Sequence, residues 1–245
     1  MRVLAKLTWV EIKLFIREPI TMVMTFALPL LFLPVMRGVF GNTPEPEIYR
    51  GVGALNYYVP AYIGLVLTSI GVMALPVHLT AYRERGVLRR FRASSIRLWV
   101  IFGSQVAVSL VIAVLGAILL AALGMLAFDA SAPESFLMFL PAFVLGTVCF
   151  VGLGIFLGSV MPTTRAAQGL GLILFFLMLM LAGAGPPPEV MTGGMQIVGN
   201  AMPLHWVIIL LQNPWLGFGW DWQATAIVAG MLVVSIGLAA RFFRW

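Results

Sequence analysis

The run Arg83-Glu84-Arg85-Gly86-Val87-Leu88-Arg89-Arg90-Phe91-Arg92-Ala93-Ser94-Ser95-Ile96-Arg97 lies between two long apolar stretches. It holds six of the chain's fifteen Lys and Arg residues. Clustered guanidinium groups in an apolar chain serve two purposes. They keep a connection on the cytoplasmic side of a membrane during insertion, and they offer charge to a partner waiting there.

Other reactive chemistry is sparse. His78 and His205 are far apart, and Cys149 stands alone in an apolar run, so no metal-ligand cluster and no intrachain disulfide is expected. The only lysines, Lys6 and Lys13, follow no Gly-x-x-x-x-Gly sequence, so any ATP must bind another subunit. No nucleophile stands beside a base: Ser104, Ser109, Thr147 and Ser159 read as helix-packing or backbone-bonding residues. The chain is therefore not expected to be an enzyme. The centres of the apolar stretches carry no Asp, Glu, Lys or Arg, which argues against a carrier coupled to protons or sodium.

These residues must be positioned by a membrane fold. The 245 residues are 61% hydrophobic and 10% charged, whereas a soluble domain carries about 25% charged residues. One membrane domain fits this length, with no room for a soluble enzyme domain. The net charge of +6 sits mostly beside apolar stretches, which favours orientation signals over nucleic-acid binding. A crossing helix needs about 20 apolar residues. Six stretches qualify: 20–39, 56–80, 98–128, 136–160, 166–184 and 223–240. The predicted fold is all-α with six transmembrane helices. Pro29, Pro34, Pro60, Pro76 and Pro141 fall inside them and predict kinks. Gly154-x-x-x-Gly158 permits close helix approach, within the subunit or between two copies.

Charge sets the expected orientation. With both termini inside, thirteen Lys and Arg are cytoplasmic and only Arg37 and Arg50 are external. No cleavable signal peptide is expected. A seventh span through Trp206–Trp220 would move Arg241 and Arg244 outside, so 186–221 is expected to dip into the membrane and return. Residues 1–19 form an expected interfacial helix, because Arg2, Lys6, Lys13 and Arg17 share an arc of about 60°. Residues 20–245 form the six-helix domain, with a cytoplasmic loop at 82–97. Tryptophans cluster at the predicted boundaries as interfacial belts.

In this order and spacing the motifs resemble the membrane subunit of a type-2 ABC exporter over almost the whole chain. Arg17-Glu18-Pro19 with Pro29 looks like that family's entry into the first span, and Gly38-Val39-Phe40-Gly41 like its close. Arg83-Glu84-Arg85-Gly86-Val87-Leu88-Arg89-Arg90 is similar to its Glu-x-x-Gly-Thr-Leu-x-x stretch. Leu157-Gly158-Ser159 with Gln168-Gly169 resembles the passage from span four to span five. Pro203-Leu204-His205 resembles its Pro-Leu-Thr, and Arg241-Phe242-Phe243-Arg244-Trp245 its ending. Val87 replaces a common Thr, Ser95-Ile96 a common Ser-Pro, and an Arg often found after Pro-Leu-Thr is absent. These departures bear on substrate class.

The resemblance implies a type-2 ABC transporter permease in the cell membrane, paired with a second copy or a paralogue and with two ABC ATPase subunits. ATP and Mg would bind the ATPases, with no cofactor in this chain. Arg83, Glu84, Arg85, Gly86, Leu88, Arg89 and Phe91 would couple to the ATPase, Glu84 as polar anchor, Gly86 as turn, Leu88 and Phe91 as docking surface. Lys6, Lys13 and Arg17 would belong to the interfacial helix that is pushed. Tyr62, Leu65, Thr68, Ser69, Phe175, Met178 and Leu181 would line a path between spans two and five for a hydrophobic or amphipathic cargo, drug or lipid-like. A non-transporting polytopic sensor or assembly factor carries the same belts and basic loops; a stable complex with an ATPase separates the two readings.

Overall fold

The computed structural model describes residues 2–45, 47–87, 90, 93 and 98–242, with backbone alone for 2–7, 14, 98, 99 and 101. The described residues form helices and connections without strands. The helices are α1 (Arg2–Ile16), α2 (Pro19–Phe40), α3 (Ala54–Glu84), α4 (Leu98–Phe128), α5 (Phe136–Val160), α6 (Thr164–Leu181), α7 (Gly193–Asn200), α8 (Pro203–Leu216) and α9 (Trp222–Phe242). Six of them, α2 to α6 and α9, are long and apolar enough to cross a membrane. They coincide with the six apolar stretches, to within a residue or two for most ends.

The exceptions have local causes. α3 continues four residues past the predicted end at 80, because Tyr82, Arg83 and Glu84 find polar partners there. α6 stops three residues short of 184: Gly183 takes φ +95°, a left-handed conformation outside the helix.

The most apolar window of α3 is wholly enclosed by the rest of the chain, while the windows of the other five spans are at most half buried. α2, α4, α5, α6 and α8 surround it. In lipid the hydrophobic effect does not drive helices together, so contact rests on close packing and small residues. Gly154 of α5 shows this. A Cβ there would lie 2.3 Å from the Gly71 carbonyl oxygen of α3. Gly158, one turn on, faces Leu79 and Pro76 of the same helix, so the Gly-x-x-x-Gly pair packs within the subunit.

Two prolines shape the hinges. Val23–Ala27 in α2 and Ile70–Ala74 in α3 are π-helical, and Pro29 and Pro76 each follow two residues after. A proline ring cannot donate to the preceding turn and crowds its carbonyl; a widened turn relieves both. The two widened turns meet where the Thr25 and Ser69 hydroxyls share a buried 2.6 Å hydrogen bond.

The ends of the bundle differ. One carries α1, the start of the 85–97 connection, the 161–163 connection and the end of α9, where Phe242 meets Phe156. The other carries residues 41–53, 129–135 and 182–221. There α7 and α8 meet at Ala201–Met202 with an 84° bend, and Gly217 in the left-handed region closes α8. Asp221 then starts α9 by accepting from the Ala224 amide at 2.8 Å.

Candidate functional site

Helix ends leave amides and carbonyls without partners, and the last turn of α3 supplies two groups of opposite sign to such ends. The Arg83 guanidinium donates to the carbonyls of Ser159 (3.2 Å), Gly158 (3.4 Å) and Met161 at the C-terminal end of α5. The next residue, Glu84, accepts from the Thr164 amide (3.0 Å) and the Thr164 hydroxyl (2.6 Å) at the N-terminal end of α6. A cation at a C-terminus and an anion at an N-terminus both match the helix dipole. Thr163 adds a cap by accepting from the Ala166 amide. Two consecutive side chains thus grip both sides of the 161–163 connection.

Arg85 is exposed and follows the helix. Gly86 adopts φ +66° with open space around it, so the chain turns there in a conformation that β-carbon-bearing residues disfavour. Leu88, Arg89 and Phe91 lie outside the described residues. Both Glu84 oxygens are turned to Thr164, so Glu84 ties the end of α3 to the start of α6.

α1 packs along α4. Lys13 and Arg17 are exposed, and Lys13 Nζ stands 5.2 Å from the centre of the Trp9 ring; for Lys6 only the backbone is described. The opposite face is buried and carries a group that sequence reasoning passed over. Glu11 is 2% exposed. Its Oε1 accepts from the Tyr82 hydroxyl (2.6 Å) and Gln105 Nε2 (2.7 Å). His78 stands between two carboxylates, Nδ1 3.8 Å from Glu11 Oε2 and Nε2 3.1 Å from Glu18 Oε1. Thr21 donates to the other Glu18 oxygen at 3.2 Å. One polar cluster therefore joins α1, the start of α2, the last turns of α3 and α4. A signal was present: Glu11 lies about 150° round the helix from the basic stripe, and buried carboxylates need partners.

At the other end four tyrosines form one ring cluster, mostly edge-on, with Tyr58 and Tyr62 stacked. Ring centroids are 5.7 Å apart for Tyr49 and Tyr58, 5.1 Å for Tyr57 and Tyr58, and 5.3 Å for Tyr58 and Tyr62. The Tyr57 and Tyr58 hydroxyls donate to the Gly183 (3.1 Å) and Gly185 (2.8 Å) carbonyls, which fixes the segment after α6. Gln212 of α8 donates to the Tyr57 carbonyl and accepts from Arg50. Tyr49 and Arg50 both have positive φ, 57° and 58°, a costly turn held by these contacts. Burial, and then the charge of Glu45, raise the Tyr49 phenol above its ordinary pKa.

Beside the tyrosines, α2, α3, the end of α6 and the segments after α2 and α6 line a half-open cavity of about 540 Å³. Of the residues expected along a path, Tyr62 lines it. Leu65, Thr68 and Ser69 are enclosed within the subunit, Thr68 bonded to the Gly64 carbonyl and Ser69 to Thr25. Phe175 and Met178 are buried on α6, and Leu181, its last residue, is partly exposed. Tyr58 and Glu45 line the cavity without having been singled out.

No curated protein matches the chain significantly. The family model for the ABC-2 type transporter matches residues 2–214. That span takes in α1, the Arg83–Glu84 grip, the Glu11 cluster and the aromatic cavity, so the chain, a multi-pass membrane protein, belongs to the ABC-2 type transporter family.

Proposed function

We propose that this ABC transporter permease is the membrane subunit of an ATP-driven exporter that moves a hydrophobic or amphipathic molecule out of the cell. The family match over residues 2–214 carries the reading. Two ATPase subunits supply the energy, since the sequence holds no phosphate-binding loop of its own. A second permease copy or a paralogue completes the path. The basic end faces the cytoplasm, in line with the Lys and Arg distribution, and the α7–α8 pair is a re-entrant segment on the outer side.

Force enters at two places. The ATPases push on α1 and on the 82–97 loop. The Glu11 cluster passes the first push to α2, α3 and α4. Arg83 and Glu84 pass the second to the facing ends of α5 and α6. The π-helical turns at Val23–Ala27 and Ile70–Ala74 let the outer halves of α2 and α3 move relative to the inner halves, a use consistent with π-turns at functional hinges.

The test is reconstitution. The permease, co-expressed with the ATPase encoded beside it, is expected to purify as a stable complex and to drive ATP-dependent movement of lipophilic dyes in proteoliposomes. A chain that binds no ATPase is a sensor or assembly factor instead. Orientation has its own check. Glu47→Cys and Val190→Cys should react with an impermeant thiol reagent in intact cells, and Arg90→Cys and Arg241→Cys should not. External labelling of Arg241→Cys would reverse the orientation.

A further inference from the structure

The cavity at the aromatic end is chemically one-sided. Phe32 and Phe40 present ring surface to it, the almost fully buried Tyr49, Tyr58 and Tyr62 back them, and Glu45 is the one charged residue among those lining it. The rings are in mutual contact: Phe32 and Tyr62 centroids lie 6.2 Å apart, Phe40 and Tyr49 6.0 Å. Ring faces carry negative potential and attract cations, most strongly where water is displaced. Glu45 forms no ion pair with any described lysine or arginine. An anion would meet the carboxylate and the ring faces together. A neutral molecule would fill the cavity without using either feature. The volume of about 540 Å³ suits a ligand of drug size.

We infer that this cavity binds a free lipophilic monovalent cation, of the quaternary phosphonium or ammonium class, with its apolar groups against the rings and its charge toward Glu45. The inference rests on the transport reading and names the class of cargo. It assigns Glu45 the role of counter-ion and Phe40, whose ring is exposed, that of a cation-facing wall. Tyr58 has a second duty, since its hydroxyl bond to Gly185 holds the rim.

The test uses the full-length protein in lipid nanodiscs and two probes of nearly equal shape, methyltriphenylphosphonium and uncharged triphenylphosphine oxide. The expected result is saturable binding of the phosphonium, roughly tenfold tighter than the oxide. Glu45→Gln should abolish most of that preference, and Glu45→Asp should keep it. Because Glu45 lies in a connection outside the helices, these variants should retain their fold, as checked by an unchanged melting profile. Phe40→Tyr should bind like the native protein and Phe40→Leu should lose phosphonium affinity. Equal binding of the two probes, or an unchanged preference in Glu45→Gln, overturns the inference. Phosphonium binding that vanishes in phosphatidylcholine discs and persists in phosphatidylglycerol discs assigns the cavity to a lipid headgroup and also overturns it. Binding is read without ATP. Bound phosphonium that ATP fails to move refutes export and leaves the cavity assignment standing; ATP-driven export of another cargo without phosphonium binding does the reverse.

Discussion

The basic end and the aromatic end hold their helices together by different means. At the basic end, contacts between elements far apart in the chain are charged or strongly polar: Arg83 to α5, Glu84 to α6, and Glu11 to Tyr82 and Gln105. At the aromatic end they are mostly ring contacts and neutral hydrogen bonds such as Tyr57 to Gly183, with Arg50 to Gln212 the charged exception. Charge-assisted bonds are directional and about twice as strong as neutral ones, whereas an aromatic pair adds about 0.5–1.5 kcal/mol beyond its buried area. In the transport mechanism we propose, one end receives a push without yielding and the other opens around a molecule.

Substitutions can break this contrast. The largest effect is expected between the two ends. Gly154→Val would drive a side chain into the Gly71 carbonyl, and since both are backbone-close the helices must separate. Overpacking typically costs about 1–3 kcal/mol, and more where, as here, backbone blocks the added side chain. Thermal unfolding of the detergent-solubilised protein should show a large drop in midpoint; a drop no larger than that of an exposed-face control such as Val233→Ala would refute the close contact.

Next comes Glu11→Ala at the basic end. It removes the acceptor of two hydrogen bonds to a carboxylate, each worth about 1.5–3 kcal/mol. Stability should fall clearly, and Glu11→Gln should recover part of it by keeping one acceptor. If both variants melt like the native protein, the cluster does not tie α1 to the bundle. The smallest effect belongs to the aromatic end. Tyr57→Phe keeps the ring contacts and loses one neutral bond, about 1 kcal/mol. A loss as large as that of Glu11→Ala would remove the contrast between the ends.

Much of this was legible in the sequence, and the boundary of legibility is physical. Spans follow from composition: 136–160 was predicted and Phe136–Val160 observed. A left-handed turn at Gly86 follows from residue type. What composition cannot supply is partnership across the chain. Glu11 and Gln105 are 94 residues apart, and nothing local marks them as a pair. His78 looked like an isolated histidine because its two carboxylates come from α1 and the start of α2. The path residues show the same limit. Tyr62, Leu65 and Ser69 share a helical face, yet only Tyr62 lines the cavity, because the π-helical turn of α2 covers Ser69 through Thr25.

The most direct measurement is ATP-driven export by the reconstituted permease–ATPase complex carrying Glu84→Ala together with Gly86→Val. Glu84→Ala releases the grip on Thr164, and Gly86→Val places a β-branched residue where φ is +66°. Neither touches the arginines on which orientation rests. The complex is expected to insert and co-purify with its ATPase, to bind ATP, and to lose both export and cargo-stimulated ATP hydrolysis. Full ATP-driven export by the double variant would contradict coupling through this loop and reduce it to an orientation signal.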